Sequence, residues 1–335
     1  MAKQSQKRRA RRRRRFILVY SVFFGLLMAS LIFLFQLLCS GTNANPEQSA
    51  SRKEASREET VSERKSEDGT SSSGFPEGWK LLSLPEAART EGNLVLVNAS
   101  HSIDAAKAQT VSVYEHKTRS YLVKDVYLSV TPETMHALND WMDAFAKETG
   151  ITDINIVSGW RSFADQTAIY DNAVATRGQA HADAYIALPG HSEHHTALAV
   201  DLDTYNVGTG TSGGFDGNGA YAWVVQHAWE YGFIQRYPIQ KSDVTGIDFE
   251  SWHFRYVGLP HAYVMQTENL CLEEYIDFLR NYPFSGEHLF VTCLGVRYEL
   301  YYCAGEQVFV PATGSYTISG NNVDGFIVTV EKPEN

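Results

Sequence analysis

Two short segments about fifty residues apart carry the most reactive-looking chemistry of this 335-residue chain. The first runs from Ser192-Glu193-His194 to Asp201, and the second is Glu250-Ser251-Trp252-His253. Imidazole nitrogen and carboxylate oxygen both suit Zn2+, which takes a tetrahedral shell and keeps one position for water in catalytic sites. His194, Asp201 and His253 would supply three ligands and leave the fourth position open. Water that attacks an amide must lose a proton, and a carboxylate beside the metal can accept it. Glu250, three residues before the last ligand, is the candidate base.

Arg161 offers a planar, permanently charged fork that suits a substrate carboxylate or the oxyanion formed during attack. Gln166 adds a polar group near the start of the helix that follows, and Ser192 can hydrogen-bond a substrate. Glu193 either orients His194 or lies exposed. His191 and His195 crowd the motif without being needed as ligands, and His227 and His261 read as structural. The catalytic segments contain no Cys, which argues against a thiol nucleophile.

Periodicity indicates the elements that must position these groups. Thr131-Pro132 opens a helix in which Met135, Leu138, Met142 and Phe145 recur every three or four residues, and Gly150 ends it. Residues 154 to 157 form a strand that exits through Ser158-Gly159-Trp160-Arg161. Ser162 with Asp165 is a capping-box-like start to a second helix that reaches Gly178. Arg161 is thus presented where strand gives way to helix. From Leu198 the chain alternates, with Leu198, Val200 and Leu202 on one face and Ala199, Asp201 and Asp203 on the other. Residues 220 to 234 read as helical and residues 251 to 257 as a strand with His253 and Arg255 on one face. Glu250 lacks the parity to share that face, so it belongs to the preceding turn or to a bulge. One or two helices follow Pro260, and residues 289 to 330 break into short β segments separated by glycines.

Positions 3 to 15 hold nine Lys or Arg and no acid, and positions 16 to 38 have only Ser21, Ser30 and Gln36 as clearly polar side chains. About twenty apolar residues span a bilayer, and a basic flank stays in the cytoplasm. The expected layout is a basic cytoplasmic segment at 1–15 and an uncleaved transmembrane anchor at 16–38, with the remainder outside the cell. Thr42-Asn43-Ala44 is a weak cleavage signal, and Leu38 before Cys39 argues against lipid attachment. Residues 40–74, nearly devoid of aromatic and branched aliphatic side chains, read as a disordered stalk. The catalytic domain is expected at 75–284 and a small β module at 285–335. Nine of the 29 basic residues lie in the N-terminal cluster, leaving 20 against 39 acids, so the external part carries a charge of -19. Such a surface has no evident affinity for nucleic acid. Cys271, Cys293 and Cys303 lie where disulfides can form, and a bridge between Cys293 and Cys303 on neighbouring strands is one open pairing.

Taken in order, Ser158-Gly159-Trp160-Arg161-Ser162 with Gln166, Pro189-Gly190-His191-Ser192-Glu193-His194 through Leu198-Ala199-Val200-Asp201-Leu202, Tyr231-Gly232-Phe233 with Arg236-Tyr237-Pro238, and Thr245-Gly246 leading to Glu250-Ser251-Trp252-His253-Phe254-Arg255-Tyr256-Val257-Gly258 resemble the VanY-type zinc D-alanyl-D-alanine carboxypeptidases. The resemblance covers roughly residues 90 to 265. It implies an α+β domain of the hedgehog/DD-peptidase fold with zinc on a central antiparallel sheet, and removal of the terminal D-Ala from peptidoglycan stem peptides. By matching positions it gives His194, Asp201 and His253 the ligand role and Glu250 the base role, with Arg161, Gln166 and Ser192 at substrate contacts. Two positions depart from the family pattern: His195 and Ala197 stand where Gln and Gly are usual. Ala197 disfavours positive φ, so an altered loop is expected there.

The same zinc chemistry also serves L,D-carboxypeptidases, D,D-dipeptidases and wall endopeptidases. A zinc-stabilised binding module is the alternative outside enzymes, and the presence of both Glu250 and Arg161 argues against it.

Overall fold

The computed structural model describes residues 77–103 and 109–332. The segments expected to be cytoplasmic, membrane-spanning and stalk-like, at 1–15, 16–38 and 40–74, lie outside the described residues. Among the described residues no helix is long and apolar enough to cross a membrane.

Along the described chain the strands are β1 (Trp79–Ser83), β2 (Val111–Ser112), β3 (Leu122–Val123), β4 (Ser129–Val130), β5 (Ile154–Ser158), β6 (Ala199–Asn206), β7 (Thr211–Ser212), β8 (Phe233–Gln235) and β9 (His253–Tyr256). Then follow β10 (Leu289–Cys293), β11 (Val296–Ala304), β12 (Gln307–Pro311), β13 (Tyr316–Gly320) and β14 (Gly325–Lys332). The helices that matter to the site are α1 (Pro132–Thr149), α2 (Phe163–Arg177), α3 (Gln179–Tyr185), α4 (His261–Thr267) and α5 (Leu272–Leu279).

Local chemistry sets the ends of α1. The Thr131 hydroxyl accepts from the Thr134 N–H, Pro132 fills the first turn, and Gly150 closes the helix at φ 73°. The expected stripe of Met135, Leu138, Met142 and Phe145 is buried, with Trp141 beside it. Trp141 stacks on Phe233 at 4.9 Å between ring centres and meets Phe254 edge-on at 5.0 Å, which fixes α1 against β8 and β9. Each such side chain contributes about 1.5–3 kcal/mol by burial.

The sheet that α1 covers has the order β3-β5-β6-β9-β8, with β7 attached to β6. Its pairs are antiparallel apart from the parallel β3–β5 edge. Register then decides which side chains reach the other face. Val200 lies opposite Phe254 and both join the core under α1, so their neighbours Asp201 and His253, also directly opposite each other, point away from it. The fold is α+β with this sheet at its centre.

Two expected boundaries move. The helical stretch expected over 220–234 ends at Tyr231, where Gly232 turns left-handed at φ 78° and releases β8. A Cβ at Gly232 would sit 2.8 Å from the Tyr256 ring, so only glycine fits this close approach. The strand expected from residue 251 begins at His253, because Ser251 and Trp252 form a turn.

The strand-rich tail forms a sheet of order β10-β11-β14-β13 and a separate β1–β12 pair. β1 comes from the opposite end of the described chain and lies antiparallel to β12. Leu300, Tyr302 and Ile327 share a core with Leu272 and Ile276 of α5, so this tail is continuous with the domain's packing. The open pairing of Cys293 with Cys303 is not formed: Cys271, Cys293 and Cys303 are all free thiols. Cys293 faces Val296 across the β10–β11 hairpin, and Cys303 lies a further seven residues along β11, about 23 Å away in an extended strand.

Candidate functional site

Asp201 and His253 are brought together by the β6–β9 register, and the turn Glu193–Thr196 carries His194 over the same sheet face. One ligand atom from each of His194, Asp201 and His253 lies within 4.8 Å of the others. His194 Nε2 is 3.2 Å from Asp201 Oδ2, and His253 Nδ1 is 2.9 Å from Asp201 Oδ1. The remaining ring nitrogens are held from behind. His194 Nδ1 donates to the Gly159 carbonyl at 2.7 Å, and His253 Nε2 lies 3.3 Å from Glu193 Oε2. A carboxylate only accepts, so this contact fixes a proton on Nε2 and turns Nδ1 toward the cluster. The donor set therefore fits a divalent metal of zinc type.

Glu250 precedes β9 in an irregular segment, as its parity requires. Its N–H donates to the Tyr237 carbonyl at 3.2 Å, and the next residue, Ser251, bonds through its hydroxyl to the Phe215 carbonyl at 2.6 Å. The Glu250 carboxylate approaches His253 Nδ1 to 3.9 Å, adjacent to the three ligand atoms and outside their contacts. Burial pushes its carboxyl from an ordinary 4.5 up to about 8, against the opposing pull of His253. His253 is raised to about 9: burial opposes the cation, and the bonds to Asp201 and Glu193 outweigh it. A metal must therefore compete with a proton at Nδ1.

Neither expected role of Glu193 is what the fold uses. A 3-10 turn sets successive side chains about 120° apart, so Glu193 and His194 diverge, and Glu193 is buried. Its Oε1 accepts from Arg236 Nε and Arg255 Nη1, both at 2.8 Å. Arg236 spans on to Glu273 of α5 with bonds of 2.9 and 2.7 Å, and Glu273 also accepts from Asn98. Burial alone would raise the Glu193 carboxyl, and the two guanidiniums overcome it and keep the group ionised. Removing one member of such a buried set leaves uncompensated charge, at a cost of about 3–5 kcal/mol. Glu193→Ala is expected to lose stability on that scale in urea unfolding, and a loss below about 1 kcal/mol would contradict the account.

Arg161 sits where β5 ends, as expected. Its Nη1 donates to Gln166 Oε1 and its Nη2 to Ser158 Oγ, each at 2.8 Å, while Nη2 stands 3.6 Å from Asp201 Oδ2. A register shift between Ile156 and Ser158 aims Ser158 inward. Gln166 is buried and its amide nitrogen donates to the Ala187 carbonyl at 2.7 Å. Both ends of Gln166 are thus engaged, and its visible work is to hold Arg161. Ser192 lines the same cleft, and among the described residues its hydroxyl has no hydrogen-bond partner. The cleft measures about 370 Å³ and is walled by Ile169, Tyr185, Ile186, Tyr237, Ile247 and Trp252.

His191 and His195 serve the loop. His191 Nδ1 meets the Asn98 carbonyl at 2.7 Å, and His195 links the Gly190 N–H to the Arg161 carbonyl. Ala197 adopts the left-handed conformation that glycine favours, at φ 59° and ψ 17°, so the loop keeps that turn at a cost of about 1 kcal/mol. His261 is buried between Tyr275 and Thr329, and His227 pairs with Glu230.

Motif spacing alone assigns no role to Arg236, Arg255, Glu273 or Ser158. The available signal was a charge inside an apolar run, as in Phe233-Ile234-Gln235-Arg236-Tyr237 and Phe254-Arg255-Tyr256, since fully buried arginines are rare without a partner.

Residues 128–259 match the family described as VanY, D-alanyl-D-alanine carboxypeptidase. A D-alanyl-D-alanine carboxypeptidase of Enterococcus faecium is 33% identical over 266 residues, which span 77% of this chain and 81% of that protein. The bifunctional D-Ala-D-Ala dipeptidase and D-Ala-D-Ala carboxypeptidase VanXYC of Enterococcus gallinarum is 38% identical over 158 residues, 46% of this chain and 80% of that one. Among solved structures, the vancomycin resistance D,D-dipeptidase VanXYg in complex with a D-Ala-D-Ala phosphinate analog superposes with a TM-score of 0.67 at 31% identity. That superposition covers 76% of this chain and 99% of that one.

Proposed function

The chain belongs to the VanY family of D-alanyl-D-alanine carboxypeptidases, and we propose that it is a zinc-dependent member, anchored in the cell membrane, that removes the terminal D-Ala from peptidoglycan stem peptides or their precursors. The observation that carries the reading is the convergence of His194, Asp201 and His253 beside a desolvated Glu250 in a cleft that also holds Arg161. His194 Nε2, Asp201 and His253 Nδ1 would hold the zinc, which when bound supplies a Lewis acid and makes a water molecule more acidic. Glu250 takes the proton of the attacking water and, with its raised affinity for protons, keeps it available for the departing amine. Arg161, pre-aimed by Ser158 and Gln166, binds the free carboxylate of the terminal residue or the developing oxyanion. The free hydroxyl of Ser192 supplies a further substrate contact.

An exopeptidase must recognise the terminal carboxylate. A charged bidentate contact is worth roughly 1.5–3 kcal/mol, so amidating the C-terminus of a D-Ala-D-Ala pentapeptide should lower kcat/KM by about ten- to a hundredfold. Arg161→Lys should narrow that gap, because an ammonium cannot reproduce the fork. Equal rates on acid and amide would sink the carboxypeptidase reading in favour of an endopeptidase. Membrane anchoring rests on the basic cluster at 3–15 followed by the apolar run at 16–38. Protease added to intact cells should release a soluble active fragment, and full protection of residues 77–332 would reverse the orientation.

A further inference from the structure

We infer that the outer end of the cleft holds a second cationic subsite, centred on Arg177, that selects peptides with a free carboxylate on the second or third residue upstream of the cleaved bond. This rests on the carboxypeptidase reading and names the substrate class that the site favours. Gln166, Ile169 and Arg177 all line the cleft, and they fall on one face of α2. Eleven residues of helix span about 16 Å, so α2 forms a wall running outward from the Arg161 end. An extended peptide advances about 3.3–3.6 Å per residue, and a helical arginine leans back toward the helix N-terminus. The Arg177 guanidinium therefore comes level with a peptide a few residues before its C-terminus.

The guanidinium is available there. No carboxylate pairs with Arg177 among the described residues, and its side-chain contact is a 3.2 Å bond from Nη1 to His181 Nε2. The one acid of α3, Asp183, is engaged by Tyr170 and Gln179 at 2.7 Å each. His181 is itself braced by Tyr185, with ring centres 4.8 Å apart, and both line the cleft. An exposed arginine held only by the His181 ring, in a cleft whose other end already holds the half-buried Arg161, leaves forked donors for an incoming carboxylate.

The test uses the full-length zinc-loaded protein and pentapeptides ending in D-Ala-D-Ala. Their γ-linked D-glutamate carries its α-carboxyl free or as the amide, and a second pair varies a side-chain carboxyl on the next residue in the same way. For one of the two positions the wild-type protein should prefer the free acid by about five- to tenfold in kcat/KM, chiefly through KM, and high salt should shrink the preference. Arg177→Gln should bring that ratio near one. A wild-type ratio near one at both positions, or an undiminished preference in Arg177→Gln, would overturn the subsite while D-Ala release kept the carboxypeptidase reading standing. Cleavage of none of the peptides would remove that reading, and the subsite with it.

Discussion

Glu250→Gln is expected to lower turnover of a D-Ala-D-Ala pentapeptide by about a hundredfold or more while leaving the fold and the metal in place. The glutamine keeps the shape of the side chain and its hydrogen-bonding reach but cannot accept a proton. Glu250 is next to the three ligand atoms without joining them, so zinc content should match the wild type. The same substitution should affect metal-free protein in the opposite sense. A carboxyl near 8 in the folded state and 4.5 otherwise gives the folded state extra protons between those values. Its contribution to stability is complete below about pH 4.5 and lost as pH rises to about 8. Chelated Glu250→Gln should therefore be the more stable protein at pH 8, on the order of a few kcal/mol. Near-normal turnover in the zinc-loaded variant would remove Glu250 from the mechanism, and a less stable chelated variant would contradict the burial argument.

Asp201→Ala and His253→Ala should each lose the metal and, with it, the activity. Each removes one of three ligands, so the fall in zinc affinity should exceed the roughly 10- to 100-fold typical of losing an outer partner. His253 is the more informative position. Its Nδ1 faces the cluster because Glu193 holds Nε2, so Glu193→Gln should weaken zinc binding less than His253→Ala does. Wild-type zinc affinity should also fall as pH is lowered, since a proton competes for His253 Nδ1. Retention of stoichiometric zinc at wild-type affinity by both alanine variants would defeat the ligand assignment.

Much of the frame is readable from local chemistry. Thr131, Pro132 and Gly150 delimit α1 by capping rules that act within a few residues, and Ser162 starts α2 the same way. The alternation after Leu198 separates Val200 from Asp201 because a strand has only two faces. The Glu193 network was opaque for the converse reason. Its members Arg236, Arg255 and Glu273 come from the residue after β8, from β9 and from α5, and only the assembled fold brings the bonded groups within 3 Å of one another. Gly232 falls inside the stretch whose composition reads as helical, and what ends the helix there, its left-handed turn and close approach to Tyr256, depends on the β8–β9 pairing. Gln166 was readable as a polar residue near the site, whereas its double engagement with Arg161 and Ala187 follows from where the chain returns twenty-one residues later. The Cys293–Cys303 bridge failed because neighbouring strands bring together residues in register, and these two are out of it.

The most direct test is mass spectrometry of a pentapeptide ending in D-Ala-D-Ala after incubation with the purified protein as isolated, after chelation, and after zinc is restored. Loss of a single C-terminal alanine is expected in the first and third samples and intact peptide in the second. Cleavage that persists without metal, release of a dipeptide, or an untouched peptide in the presence of retained zinc would contradict the zinc carboxypeptidase reading.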